Sequence, residues 1–318
     1  MKAIRYHKFG APRVLKVEEV DNLNFNDHQL LVEVYATTVN SGDCHLRSGT
    51  PLLARIFAGP IVPRQKILGT AYSGKVVQVG ANISKYKVGD EILGSLGIKS
   101  GTYAEYIAIE ENSVVVKKPL GLTHEEAASL IFGSLSAKYF LTKAGIARKK
   151  RVLVIGAAGS VGSYAVQYAK SIGAHVTGVC HSQSVEFVIG IGADRTIDYT
   201  LENLSDYKMQ FDIILDTVGK ESLSVIKSCL AINGNYITTV VRIGVIIRQF
   251  FNKENGKKFM FDVTKSKSSD LEHIIELVKI GVYNPLIDAV YKYDEVVKAH
   301  HYVEGNRKSG AVVLNMKV

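Results

Sequence analysis

No stretch of the 318-residue chain runs for the roughly 18 charge-free apolar residues that a membrane-spanning helix needs. The most apolar region, 236–251, is interrupted by Arg242 and Arg248. The first twenty residues read as strand and lack the apolar core of a signal peptide, so a soluble, cytoplasmic protein is expected. Cysteine is scarce. Cys44, Cys180 and Cys229 sit far apart, which offers neither a disulfide framework nor a C-x-x-C zinc site, and reduced thiols are expected. Internal repeats and low-complexity segments are missing too. A content of 47% hydrophobic and 22% charged residues then excludes a disordered chain, a fibrous repeat or a coiled coil.

The formal charge is +9, which favours anionic ligands. The densest basic runs, 148–151 and 253–258, abut apolar strands and lack interleaved aromatic residues. They read as solvated loops and not as a nucleic-acid groove.

Two grammars follow one another. Residues 1–119 are strand and turn with regular glycine punctuation, as in Gly74–Gly80 and Gly101–Ile107, which suggests a small, mostly antiparallel, barrel-like β domain. Beyond Leu122, strands alternate with helices. A capping-box pattern at Thr123–Glu126 opens a long helix, and the strands Arg151–Ile155, His175–Cys180, Phe211–Asp216 and Asn235–Val241 are separated by helical stretches. That order predicts an α/β, doubly wound parallel sheet. The expected division is a dinucleotide-binding domain at 120–262 and a substrate domain built from 1–119 and 263–318.

Ile155-Gly156-Ala157-Ala158-Gly159-Ser160-Val161-Gly162 reads as strand end, glycine turn and helix start, spaced A-x-G-x-x-G with Ala157 at the usual first glycine. Gly159 would let the backbone approach a pyrophosphate, and Gly162 would let the helix pack close to the strand. Ala157, Ala158, Gly159, Ser160 and Val161 are therefore candidate phosphate contacts at a helix N-terminus. The next strand ends at Cys180-His181-Ser182-Gln183, with no Asp or Glu to bind a ribose 2′-hydroxyl. His181 and Ser182, with Tyr199 after the third strand, could donate to a 2′-phosphate instead. NADP(H) is favoured over NAD(H), and the missing Arg or Lys keeps the preference modest. Val218 and Val240, with Asp216, should border the cofactor at the sheet's carboxyl edge.

These residues resemble the medium-chain dehydrogenase/reductase superfamily, in its zinc-free quinone oxidoreductase and enone reductase branch. The resemblance also covers Val34–Gly49, Gly69–Gly74, Val88–Glu91, Asp216–Gly219 and Ser309–Leu314. It implies a Rossmann domain, a cleft where NADPH meets substrate, and a homodimer, for which the apolar strand Asn235–Val241 is the candidate edge. Zinc-dependent relatives carry a Cys near 40 and a His-Glu pair near 70. Asn40, Thr70 and Ala71 stand there, so no metal is expected.

Asn40 would orient the nicotinamide ribose or a substrate carbonyl, with Asp43 in support. His45 stands where a tyrosine is usual and could donate to a developing enolate. Ser136, with Ser134, matches positions near the nicotinamide amide. Cys44 has no base paired with it in sequence and reads as a buried thiol. Apolar residues at 52, 53, 56, 57, 246, 250 and 251 suit a planar apolar substrate or plain packing. The expected function is NADPH-dependent, zinc-independent reduction of a quinone or an α,β-unsaturated carbonyl. A catalytically weak NADPH sensor or nucleic-acid-binding member of the fold is the alternative.

Overall fold

The structure is a computed structural model that describes residues 1–50, 55, 58–251, 256–305 and 308–317, with only the backbone described at 250 and 251. The expected pocket residues Leu52, Leu53, Ile56 and Phe57, and the side chains of Phe250 and Phe251, lie outside the described residues.

Strands β1 (Lys2–Arg5) and β2 (Lys16–Glu19) pair antiparallel. There follow β3 (Gln29–Val39), α1 (Ser41–Ser48), β4 (Ala71–Val79), β5 (Glu91–Ser95), β6 (Tyr106–Glu110) and β7 (Val114–Lys117). Then α2 (His124–Lys143) leads to β8 (Arg151–Ile155), α3 (Ser160–Ser171), β9 (His175–Cys180), α4 (Val185–Gly190) and β10 (Arg195–Asp198). Next come β11 (Phe211–Asp216), α5 (Leu223–Cys229), β12 (Leu230–Thr238), α6 (Ile243–Phe251) and β13 (Lys258–Phe261). The chain ends through α7 (Ser268–Lys279), β14 (Ile287–Lys292), α8 (Val296–Glu304) and β15 (Ala311–Asn315).

The chain forms two compact units, one of Met1–Phe132, Ser266–Lys279 and Pro285–Val318, the other of Gly133–Lys265 and Ile280–Asn284. The division falls inside α2. Among the described residues, no helix is long and apolar enough to cross a membrane.

The first unit is organised on β3. Its N-terminal half pairs with β6, its C-terminal half with β15, and β4 runs along its other side, all antiparallel. The sheet order is β14-β15-β3-β4-β5-β7, and β14–β15 is parallel. Leu30, Val32 and Val34 alternate into the core with the period of two that a half-buried strand requires, whereas Ala36 to Val39 are covered on both faces. The same core takes in Tyr72, Tyr103 and Val312.

The second unit is a six-stranded parallel sheet ordered β10-β9-β8-β11-β12-β13. Val152, Leu153, Val154 and Ile155 are all buried, the continuous apolar run expected of a strand covered on both faces. Thr123 and Glu126 form the capping box that starts α2, at 2.8 and 3.1 Å. Two elements differ from expectation. β12 begins at Leu230 and stops at Thr238, whose Oγ1 turns the chain by accepting from Val240 N at 3.1 Å. It also lies between β11 and β13, so the sheet's edge is β13 and not the Asn235–Val241 segment. β13 has only four residues, and the lysines at its start, Lys257 and Lys258, concealed it.

The first unit's core carries a buried polar chain. Cys44 Sγ lies 3.4 Å from His300 Nδ1, and His300 Nε2 lies 3.4 Å from the Tyr103 hydroxyl. Burial, then the charges of Arg47 and His301, pushes the His300 imidazole down to about 3. The ordinary value is 6.5, so below that pH the unfolded chain takes up a proton that the folded chain refuses. This contribution to stability is present above 6.5 and is lost as the pH falls from there toward 3. Urea unfolding of His300→Asn should therefore show a stability that falls less steeply than the wild type's on acidification, by up to about 1.4 kcal/mol per pH unit. Equal slopes for the two proteins would contradict the assignment.

Candidate functional site

At the end of β8 the chain must turn sharply enough to start a helix over the sheet's carboxyl edge. Gly156 makes that turn at φ +81, and a Cβ there would lie 2.5 Å from Thr217 Oγ1 and 2.6 Å from Val218 Cγ2. The tight turn thus falls on Gly156, one residue before the place where the fingerprint's first glycine is usual. Ala157 is buried against the end of β9, its N–H donating to Val179 O at 3.0 Å. A Cβ on Gly162 would overlap the Gly156 carbonyl oxygen, so only glycine lets α3 sit this close to the strand.

Gly159 caps α3 with no side chain to offer the first turn's N–H groups. Its φ is −71, and a Cβ there would meet only the Gly156 oxygen, at 3.4 Å. The protein itself therefore does not require glycine at 159. A bare backbone before a helix of this length suits a close-approaching anion, which the helix dipole also favours. Ser160 and Ala158 are both buried beside this turn, and Val161 is half-buried.

His181, Ser182 and Tyr199 come together at the ends of β9 and β10. The His181 and Tyr199 rings meet edge-on with centroids 5.8 Å apart, and Tyr199 is exposed. His181 Nδ1 accepts from Gln183 N at 3.2 Å, which leaves the ring proton on Nε2 as a donor. An acid that the sequence reading missed is also present. Asp198 ends β10 in register with Cys180, and its carboxylate accepts from the Ser182 hydroxyl. The strand end expected to lack a carboxylate receives one from its neighbour.

Val218 and Val240 border the same edge, where a Cβ on Gly219 would come within 3.1 Å of Val240. Asp216 is wholly buried and supports this loop, accepting from Val218 N, Gly219 N and the Tyr236 hydroxyl at 2.8 to 2.9 Å. Ser136 is buried within this unit and accepts from the Thr264 hydroxyl at 3.2 Å. Ser134 is buried as well.

In the first unit, Asn40 caps α1. Its Oδ1 accepts from Asp43 N at 3.1 Å while Asp43 Oδ2 accepts from Asn40 N at 3.0 Å. This reciprocal pair fixes the amide's orientation, and Asn40 Nδ2 is buried with no partner among the described residues. Asp43 Oδ1 also accepts from Gly69 N at 3.1 Å. Burial outweighs these hydrogen bonds and pushes the Asp43 carboxyl up to about 7.

His45 is exposed, and its Nδ1 donates to Thr50 O at 2.9 Å. The neutral ring therefore presents a lone pair at Nε2, and only the imidazolium could donate there. Cys44 does have a histidine beside it, but burial pushes its thiol up to about 12 and His300 down to about 3, a neutral pair unsuited to nucleophilic attack. Among the described residues no cluster of His, Cys, Asp and Glu is arranged to hold a metal ion. Ala71 is buried, and its carbonyl accepts from the Thr37 hydroxyl at 2.7 Å.

Residues 26–119 match the alcohol dehydrogenase GroES-like domain, and residues 191–314 match the family described as zinc-binding dehydrogenase. The chain belongs to the medium-chain dehydrogenase/reductase superfamily. It is 32% identical to the 2-methylene-furan-3-one reductase of Solanum lycopersicum, over 99% of this chain and 79% of that protein. It is 31% identical to a mitochondrial NAD(P)H oxidoreductase of Mus musculus, over 97% and 87%. The quinone oxidoreductase structure from Coxiella burnetii superposes with a TM-score of 0.91 at 26% identity, covering 100% of this chain and 99% of that one.

The two helix-start glycines should separate under mutation. Gly159→Ser supplies the missing cap, so the melting temperature should hold or rise while affinity for a reduced dinucleotide falls about tenfold. Gly162→Ala should instead lower stability by about 2 kcal/mol or more. Thermal melts with fluorescence titrations read both, and a Gly159→Ser protein that binds as tightly as wild type would remove the anion site.

Proposed function

We propose that this chain is an oxidoreductase that uses NADPH, with a modest preference over NADH, to reduce a quinone or an α,β-unsaturated carbonyl without zinc. The observation that carries this reading is the uncapped N-terminus of α3 behind Gly159, in the same sheet edge as His181, Ser182 and Tyr199. The relatives' names, a furanone reductase and an NAD(P)H oxidoreductase, support it.

Gly159, Ser160 and Val161 would hold the pyrophosphate, and the His181 Nε2–H and Tyr199 hydroxyl would serve the adenosine end. When bound, the reduced nicotinamide supplies the hydride. Hydride addition to an enone's β-carbon drives negative charge onto the carbonyl oxygen, which then needs a donor already in place. Asn40 Nδ2, buried and without a partner among the described residues, suits that role, or the same hydrogen bond to the nicotinamide ribose. The proton that completes the reduction comes from water or from the His45 imidazolium. Zinc independence rests on the donor set. Asn40, Thr70 and Ala71 supply no thiolate, imidazole or carboxylate where zinc-dependent relatives have them.

Absorbance at 340 nm should show NADPH consumed against a panel of quinones and enones, undiminished in chelator-treated enzyme. Asn40→Ser keeps the helix cap and removes the amide donor, so kcat/KM should fall about tenfold or more with the melting temperature held within a few degrees. Tight NADPH binding with no turnover on any panel member would favour a sensor instead.

A further inference from the structure

Resting on the dinucleotide reading above, we infer that Asp198 is a cofactor-selectivity residue that keeps the preference for NADPH over NADH within about tenfold. An ionised carboxylate only accepts hydrogen bonds. Asp198 Oδ2 takes the Ser182 hydroxyl proton, and Oδ1 takes those of Thr200 N at 2.9 Å and Thr200 Oγ1 at 2.7 Å. With its proton turned inward, Ser182 shows only lone pairs to a ligand. A ribose 2′-hydroxyl can donate to those lone pairs. A 2′-phosphate, with no proton to give, meets them and the carboxylate behind.

Two features keep the phosphate from being excluded outright. The His181 Nε2–H and the exposed Tyr199 hydroxyl are donors that a phosphate can use. Neither 181–184 nor 198–203 contains Lys or Arg to add a cation to them. The hydrogen bond from Ser182, then those from Thr200, holds the Asp198 carboxyl below its ordinary range, so it is ionised at neutral pH.

Asp198→Asn reverses this polarity with little change of shape. The new amide keeps Oδ1 for Thr200 N and donates through Nδ2 to Ser182 Oγ, which releases the serine proton from the carboxylate, to be shared between the ligand and Thr200 Oγ1 at 2.9 Å, and removes the negative charge. Equilibrium titrations following the fluorescence of NADPH and of NADH measure the two dissociation constants without turnover. For wild type they should lie within tenfold of each other, and in Asp198→Asn the ratio should move about tenfold toward NADPH. Competition by 2′,5′-ADP should strengthen in the variant, while that by 5′-ADP should not. Ser182→Ala, which leaves the carboxylate in place, should weaken NADH binding more than NADPH binding and serves if the first variant does not fold. A wild type that prefers NADPH more than a hundredfold, or a folded Asp198→Asn with an unchanged ratio, overturns the inference. Wild type that binds neither dinucleotide would remove the proposed function itself, and this inference with it.

Discussion

The carbonyl of Gly156 lies against the Cα of Gly162, and the second unit is built around that contact. It brings the start of α3 down onto the end of β8, so the helix's first N–H groups emerge at the sheet's carboxyl edge. No side chain fits between the two backbones, and Gly159 itself has none with which to close the helix. The first condition is structural, the second is not. A helix start whose N-cap residue carries no side chain is the kind of place that a close-approaching anion suits.

The polar groups at the ends of the neighbouring strands belong to the same edge. β9 delivers His181 and Ser182, β10 delivers Asp198 and Tyr199, and β11 delivers the buried Asp216 that shapes the loop at Val218 and Gly219. In the first unit, a different constraint fixes Asn40. Its amide oxygen is spent on the cap of α1, so the nitrogen is left as a directed donor. Both units thus use a helix N-terminus, one with a glycine at its cap and one capped by an amide whose nitrogen has no partner among the described residues.

The parallel sheet was legible because its strands are continuous apolar runs set between helical stretches. Arg151–Ile155, His175–Cys180 and Phe211–Asp216 are strands with those same ends. The long helix was legible from Thr123 and Glu126. β13 was not, because four residues that open on Lys258, directly after Lys257, carry no period. Asp198 escaped for a topological reason. A fingerprint reading searches for an acid along the second strand, whereas this carboxylate enters from the third through the pairing of Asp198 with Cys180. The protons of His45 and Ser182 are likewise invisible in sequence, since Thr50 and Asp198 decide where they point.

A crystal structure of the protein grown with NADPH tests the account most directly. The pyrophosphate should lie against the backbone N–H groups of Gly159 to Val161, with the adenosine ribose 2′ position facing His181, Ser182 and Tyr199. A dinucleotide bound away from the start of α3, or an adenosine end on the far side of β10 from these residues, would contradict it.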